Sequence, residues 1–348
     1  MITAAVLYKQ NEELKIQCFK KPKPVGHQVL VRIHCSGLCG AQLNEILGIK
    51  GPDSFLPHLM GHEGSGIVEA TGDLVEKVAP GDRVVLHWRK ASGGEGPFPR
   101  YEAIDGGTVG GGNVTTFADM ALVAENRITR IDPDIPFDIA CLFGCGISTG
   151  YGIIQNELKF KAGASLALIG CGGVGLNVIQ AAALTGASQV VAVDRHAGAK
   201  EALARKMGAT HYLHLESQST LYSQLRALRN AGFDAVVDTT GDTQLMGEGF
   251  KSLAKNGTLM LVGQPRLDSV LTINPALDLF TGKKIIVSEG GGFDPDRDMP
   301  KLQALYRINP DAMRNVITNT YPLDQINQAF ATLRTGLSGR ILLQSKRE

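Results

Sequence analysis

Two rhythms of apolar and polar positions divide the chain. Up to about residue 145, apolar residues come in short alternating runs separated by glycine and polar turns. Stretches 3–8 and 15–18 read as short strands, and 28–36 is the clearest, with Val29, Val31, Ile33 and Cys35 alternating with Arg32 and His34. That period of two predicts an antiparallel strand buried on one face. Strands are also predicted at 66–71 and 83–87, with the turn Pro80-Gly81-Asp82 between them. From about Gly146 the rhythm changes. Short, nearly all-apolar runs at 166–169, 190–193, 234–237 and 258–262 alternate with helical patterns, as in a doubly wound parallel sheet covered on both faces. The chain closes with helical patterns at 299–308 and 323–334 and a strand at 340–343. The predicted class is α/β, with a β-rich part and a doubly wound part. One stretch, 90–115, follows neither rhythm and is crowded with glycine. It reads as a long surface loop, a kind that is uncommon and tends to be functional or mobile.

The densest chemistry lies at 165–195. The strand at 166–169 runs into Gly170, Gly172 and Gly175, with Gly173 and Val174 completing the turn, and a helical pattern follows. In a G-x-G-x-x-G turn the first glycine allows the tight bend. The second lets backbone approach a pyrophosphate, and the third packs the helix on the strand. The next strand ends on Asp194, 19 residues after Gly175, where a carboxylate meets the adenosine ribose. Asp194 repels a 2′-phosphate, which favours NAD over NADP; Arg195 beside it is the one feature that suits the phosphate.

At 348 residues the chain exceeds the size at which a single core keeps growing, so two domains are expected. A net charge of +1 without a Lys/Arg cluster argues against nucleic acid and anionic membranes as partners. Lys9, Glu12, Glu13 and Lys15 interrupt any signal-like apolar run, and a cytoplasmic location is expected. In that compartment the six cysteines are thiols or metal ligands rather than disulfides.

Three glycine turns carry sulfur or imidazole: Gly37-Leu38-Cys39-Gly40, Gly61-His62-Glu63-Gly64 and Gly144-Cys145-Gly146. Zinc prefers these donors, and a catalytic zinc keeps three protein ligands and one open position. Cys39, His62 and Cys145 form such a set. Cys35 and Cys141 read as packing residues.

With these motifs in view the chain resembles the zinc-dependent medium-chain alcohol dehydrogenases over nearly its whole length. It is most similar to the alcohol and glutathione-dependent formaldehyde dehydrogenase branch. The matches are GLCG at 37–40, GHEGSG at 61–66, PGDRVV at 80–85, GCGISTGYG at 144–152 and GCGGVG at 170–175. The resemblance implies that Cys39, His62 and Cys145 hold one catalytic zinc and that Glu63 enters its coordination transiently. It implies that Thr149 touches the nicotinamide, that Val262 and Gly263 hold its carboxamide end, and that Arg340 binds a cofactor phosphate. The implied fold is a GroES-like catalytic domain, 1–146 with 289–348, and a Rossmann NAD-binding domain, 147–288. A homodimer or homotetramer is implied too, with sheets pairing at 271–287.

Two departures stand out. The family follows its first zinc cysteine with a hydroxyl residue and an aspartate, and places a histidine nearby; this chain has Ala41, Gln42 and Asn44. Alanine relays no proton, and the lost aspartate leaves the metal's surroundings more positive. The four cysteines of a structural zinc are also missing, since none lies between Cys39 and Cys141. One zinc per chain is therefore expected. The reaction implied is hydride transfer between an alcohol and NAD, with zinc as Lewis acid on the alcohol or carbonyl oxygen. His87, Arg89, Lys90 and Arg100 suggest a polyol, sugar or phosphorylated substrate. Rival readings are a zinc- and NAD-containing lyase or epimerase without net redox, a non-catalytic NAD-binding protein, and a zinc-free quinone reductase.

Overall fold

The computed structural model describes residues 1–345, and at Leu277 the backbone alone. The first rhythm folds as one unit, Met1–Gly146 with Asp294–Thr335 and the closing strand from Arg340; the second folds as another, Ile147–Phe293 with Gly336–Gly339.

In the first unit a seven-stranded sheet runs Ile128–Arg130, Arg83–His87, Glu63–Thr71, Gln28–Leu38, Arg340–Gln344, Ile317–Pro322, and Met120–Ala124 also pairs with Gln28–Leu38. A five-stranded sheet runs Lys15–Phe19, Ile2–Leu7, His58–Leu59, Thr108–Gly110, Arg100–Glu102. Gln28–Leu38 is buried on both faces rather than the expected one. Val29, Val31 and Ile33 enter one core and Leu30 a second, which it shares with Ile2, Val6 and Tyr101 of the five-stranded sheet. The strand's one charged side chain, Arg32, is exposed, and His34 is half-buried.

The glycine-rich stretch is tied down rather than loose. Its strands Arg100–Glu102 and Thr108–Gly110 pair antiparallel, and the wholly buried Tyr101 accepts a hydrogen bond through its hydroxyl from Leu122 N at 2.8 Å. Gly94 N donates to Glu125 Oε2 at 2.8 Å, and the same carboxylate accepts from Glu76 N at 2.6 Å. Sequence periodicity missed these anchors because each strand is three residues long.

The second unit is a six-stranded, wholly parallel sheet in the order His211–His214, Gln189–Asp194, Ser165–Ile169, Phe233–Asp238, Leu253–Leu261, Lys284–Val287. Chain order reverses at Ser165–Ile169, and ligands of such sheets bind at the carboxyl ends of the strands beside that reversal. Among the described residues no single helix is long and apolar enough to cross a membrane. All six cysteines are free thiols.

Candidate metal centre and nucleotide cradle

In the first unit the chain delivers three donors to one point. Cys39 directly follows strand Gln28–Leu38 and caps helix Gly40–Ile46. His62 follows Gly61, whose φ of +101° lies in the region that favours glycine. A side chain at Gly61 would also meet Thr116 Oγ1 at 2.5 Å. Cys145 follows Gly144, where an added Cβ would sit 2.4 Å from Leu86 O. The donor atoms of Cys39, His62 and Cys145 all lie within 4.8 Å of one another. His62 Nε2 is buried and has no hydrogen-bond partner. A buried imidazole nitrogen without a partner beside two thiols is a costly arrangement, and a zinc ion relieves it with the donors it prefers. The set fits zinc. The adjacent Cys145 thiol first, and then the neighbouring His62 and Arg340, hold the Cys39 thiol well below its ordinary range against the opposing effect of burial. A thiolate is the form that ligates.

Glu63 lies behind this set, fully buried, its Oε2 accepting from Gly146 N at 2.9 Å. Its Oε1 is ion-paired with the equally buried Arg340. Glu63 is not among the three converging donors, and Arg340 is held within the first unit, where its charge also faces Cys39. Gln42 Oε1 accepts from Cys39 N at 2.8 Å, so its amide serves the helix cap.

The basic residues singled out from the sequence do not converge. His87 is buried, bonded through Nδ1 to Arg89 O at 2.7 Å and through Nε2 to Thr129 Oγ1 at 3.0 Å. Burial pushes its pKa down to about 4. Arg89 is buried and donates to Gly144 O at 3.3 Å, beside the Cys145 turn. Lys90 pairs with Glu95, and Arg100 is exposed on its short strand. The bond from Arg89 to the Cys145 turn was missed from sequence. Nothing local marks it, since the partners are 55 residues apart.

In the second unit the three glycines divide their labour. Gly170 has φ +94°, and a Cβ there would meet Thr239 Oγ1 at 2.6 Å; a Cβ on Gly175 would lie 2.1 Å from Gly170 O. Gly172 faces open space, with nothing within 4 Å of an added Cβ, and it caps helix Gly173–Leu184, which also contains Val174, without any side-chain bond. Free N–H groups at a helix start, reachable across a bare glycine, form an anion site. Asp194 closes the neighbouring strand. Its Oδ2 accepts from Cys171 N at 2.8 Å, and its Oδ1 accepts from His196 N at 3.0 Å and faces His196 Nδ1 at 2.9 Å. Arg195 is exposed. His196, missed from sequence, could have been flagged by its place two residues after the acid. Val262 N and Gly263 N both donate to Asp238 O, at 2.8 and 3.0 Å. Thr149 is buried in helix Gly146–Gly152.

Comparison with known proteins agrees with this geometry. Residues 26–133 match the alcohol dehydrogenase GroES-like domain, and 173–306 match the zinc-binding dehydrogenase domain. The chain is 30% identical to S-(hydroxymethyl)glutathione dehydrogenase of Saccharomyces cerevisiae, covering 98% of this chain and 96% of that one. It is 32% identical to geraniol dehydrogenase of Castellaniella defragrans, covering 96% and 95%. The crystal structure of benzyl alcohol dehydrogenase from Acinetobacter calcoaceticus superposes with a TM-score of 0.88 at 28% identity, covering 99% of both chains.

Proposed function

The chain belongs to the zinc-binding medium-chain alcohol dehydrogenase family and is an enzyme of that type, and from this premise we propose that it transfers a hydride between an alcohol and NAD with the help of one catalytic zinc. The observation that carries the reading is the convergence of Cys39, His62 and Cys145 within 4.8 Å around an imidazole nitrogen that lacks a partner. When bound there, zinc supplies Lewis acidity, which lowers the pKa of a hydroxyl and polarises a carbonyl. Cys39, His62 and Cys145 hold the metal and leave one position for the substrate oxygen. Arg340 neutralises Glu63, so the fully buried carboxylate costs less behind the thiolates. Gly172 and the first turn of its helix take the pyrophosphate, and Asp194 takes the adenosine ribose, with a preference for NAD over NADP. Thr149, Val262 and Gly263 are assigned to the nicotinamide end and Arg340 to a cofactor phosphate, by resemblance to the family.

The relatives' names point to a primary alcohol, as in benzyl alcohol and geraniol dehydrogenases. A polyol, sugar or phosphorylated substrate stays in the trial panel on account of the exposed Arg100 and Lys90. We also propose a homodimer or homotetramer in the cytoplasm. Lys284–Val287 is an edge strand, and Val287 and Phe280 are exposed at 73% and 87%. An unpaired apolar edge calls for a partner.

The test is NADH formation across a panel of primary alcohols, polyols and polyol phosphates, before and after chelation and after zinc is restored. NADH that disappears with the metal and returns with it supports the reading. Tightly held zinc and NAD with no net NADH on any substrate would instead favour a lyase or epimerase, in keeping with Ala41 where the family carries a hydroxyl.

A further inference from the structure

A second group of donors lies in the first unit, apart from the Cys39 set. Glu45 sits in the last turn of helix Gly40–Ile46, Asp53 in the loop after it, and His58 opens strand His58–Leu59. One donor atom from each lies within 4.8 Å of the others. His58 and Asp53 have side chains only 10% and 9% exposed.

His58 Nδ1 is 2.8 Å from Leu59 O, and a carbonyl only accepts, so Nδ1 carries a proton. In the neutral ring Nε2 then has a lone pair. That lone pair faces Asp53 Oδ2 at 2.8 Å and Glu45 Oε1 at 3.6 Å. Lone pairs at such distances require a proton between them, on the ring or on the carboxyl, or a metal ion. A proton satisfies Asp53 alone, since 3.6 Å is too long for a hydrogen bond. Two donors bonded at about 2.1 Å to a tetrahedral ion lie about 3.4 Å apart; the Glu45 contact is close to that span, whereas the Asp53 contact is a hydrogen-bond distance that an entering ion has to lengthen. Charge points the same way. Among the described residues neither carboxylate has a Lys or Arg partner within 4.0 Å; their one ion-pair partner is His58, while Asp53 Oδ1 also accepts from Phe55 N at 2.9 Å and the Glu45 side chain is 38% exposed. An imidazolium leaves the group one negative charge in excess, whereas a divalent ion beside a neutral ring balances both carboxylates. A ring nitrogen turned to a backbone carbonyl is also the habitual outer bond of a metal-ligating histidine.

We propose that Glu45, Asp53 and His58 bind a divalent first-row cation through one imidazole nitrogen and two carboxylate oxygens. This mixed donor set suits zinc and its neighbours rather than calcium or magnesium. The ion ties the Asp53 loop and strand His58–Leu59 to the end of the helix that Cys39 caps. It raises the metal content above the single ion expected from the missing cysteine lobe, and it does so without sulfur.

The experiment is a metal count on the intact, zinc-equilibrated chain, paired with cobalt substitution. Wild type should hold about two zinc ions per chain, and the variants H58Q and D53N about one. Cobalt bound by Cys39 and Cys145 gives a thiolate-to-metal charge-transfer band, while cobalt on imidazole and carboxylate gives none. The band per bound cobalt should therefore be about half as strong in wild type as in H58Q, and its survival in each variant shows that the fold and the sulfur site persist. Equal metal content in wild type, H58Q and D53N, with equal band intensity per cobalt, overturns the proposal and leaves the His58–Asp53 contact as a hydrogen bond alone. Loss of the band itself in wild type would count against the sulfur site instead, so the two assignments fail separately.

Discussion

Gly37 is small because Glu63 and Arg340 fill the space beside it. An added Cβ would lie 2.4 Å from Glu63 Oε1 and 3.0 Å from Arg340 Nη2. Gly37→Ala therefore has to displace the ion pair that backs the thiolates. Such outer-layer changes cost roughly 10 to 100-fold in metal affinity, and competition with a chromogenic chelator should register a loss of that order. Unchanged affinity would mean that the pair does not support the metal. The glycine turn gives a sharper contrast. Gly172→Ala places its methyl in open space, so the chain should keep its melting temperature and lose NADH binding by fluorescence titration. Gly175→Ala drives a methyl to 2.1 Å from Gly170 O, so it should lose stability as well. Equal melting losses in both would contradict the division of roles. The triplet was legible in sequence because its spacing is local. The Glu63–Arg340 pair was not, because its partners are far apart in the chain, and resemblance alone assigned Arg340 to a phosphate.

At the scale of elements, His87 on strand Arg83–His87 gives a pH dependence whose sign can be worked out. Burial lowers its pKa from 6.5 to about 4 in the folded chain. Between those values the unfolded chain binds a proton that the folded one refuses, so stability falls as pH drops from 6.5 towards 4. The full effect is about 3 kcal/mol. Asp238 acts in the opposite sense, its carboxyl pushed up to about 6 chiefly by burial, so the clean observable is a difference. The unfolding free energy of His87→Gln, measured by urea titration, should decline less than wild type over this range; parallel curves would show that His87 does not carry the effect. The stretch 90–115 teaches the same lesson about legibility. Its strands are too short to show a period, yet Tyr101 is a core residue. Tyr101→Phe leaves Leu122 N without its 2.8 Å acceptor and should cost about 1–3 kcal/mol in the same urea titration. The strand at 28–36 was recognised by its alternation, but burial of its second face depends on a second sheet that no local pattern announces.

At the scale of the whole molecule, the division into a β-rich part and a strand-helix part was readable because the two hydrophobic periods differ so plainly. Assembly and substrate were not, since both rest on surfaces that sequence periodicity does not describe. Val287→Lys on the exposed edge strand should convert the proposed dimer or tetramer to smaller species in light scattering, and an unchanged mass would remove that strand from the interface. The proposed reaction is hydride transfer from an alcohol carbon to NAD at the Cys39, His62 and Cys145 centre. Its most direct test is the mass of the reduced nicotinamide formed from NAD and an alcohol deuterated at the carbinol carbon, with the zinc-loaded chain as catalyst. NADH carrying the deuterium is expected, and no reduced nicotinamide from a Cys39→Ser, His62→Ala, Cys145→Ser variant. Deuterium washed into solvent, or reduced nicotinamide without label, would contradict it.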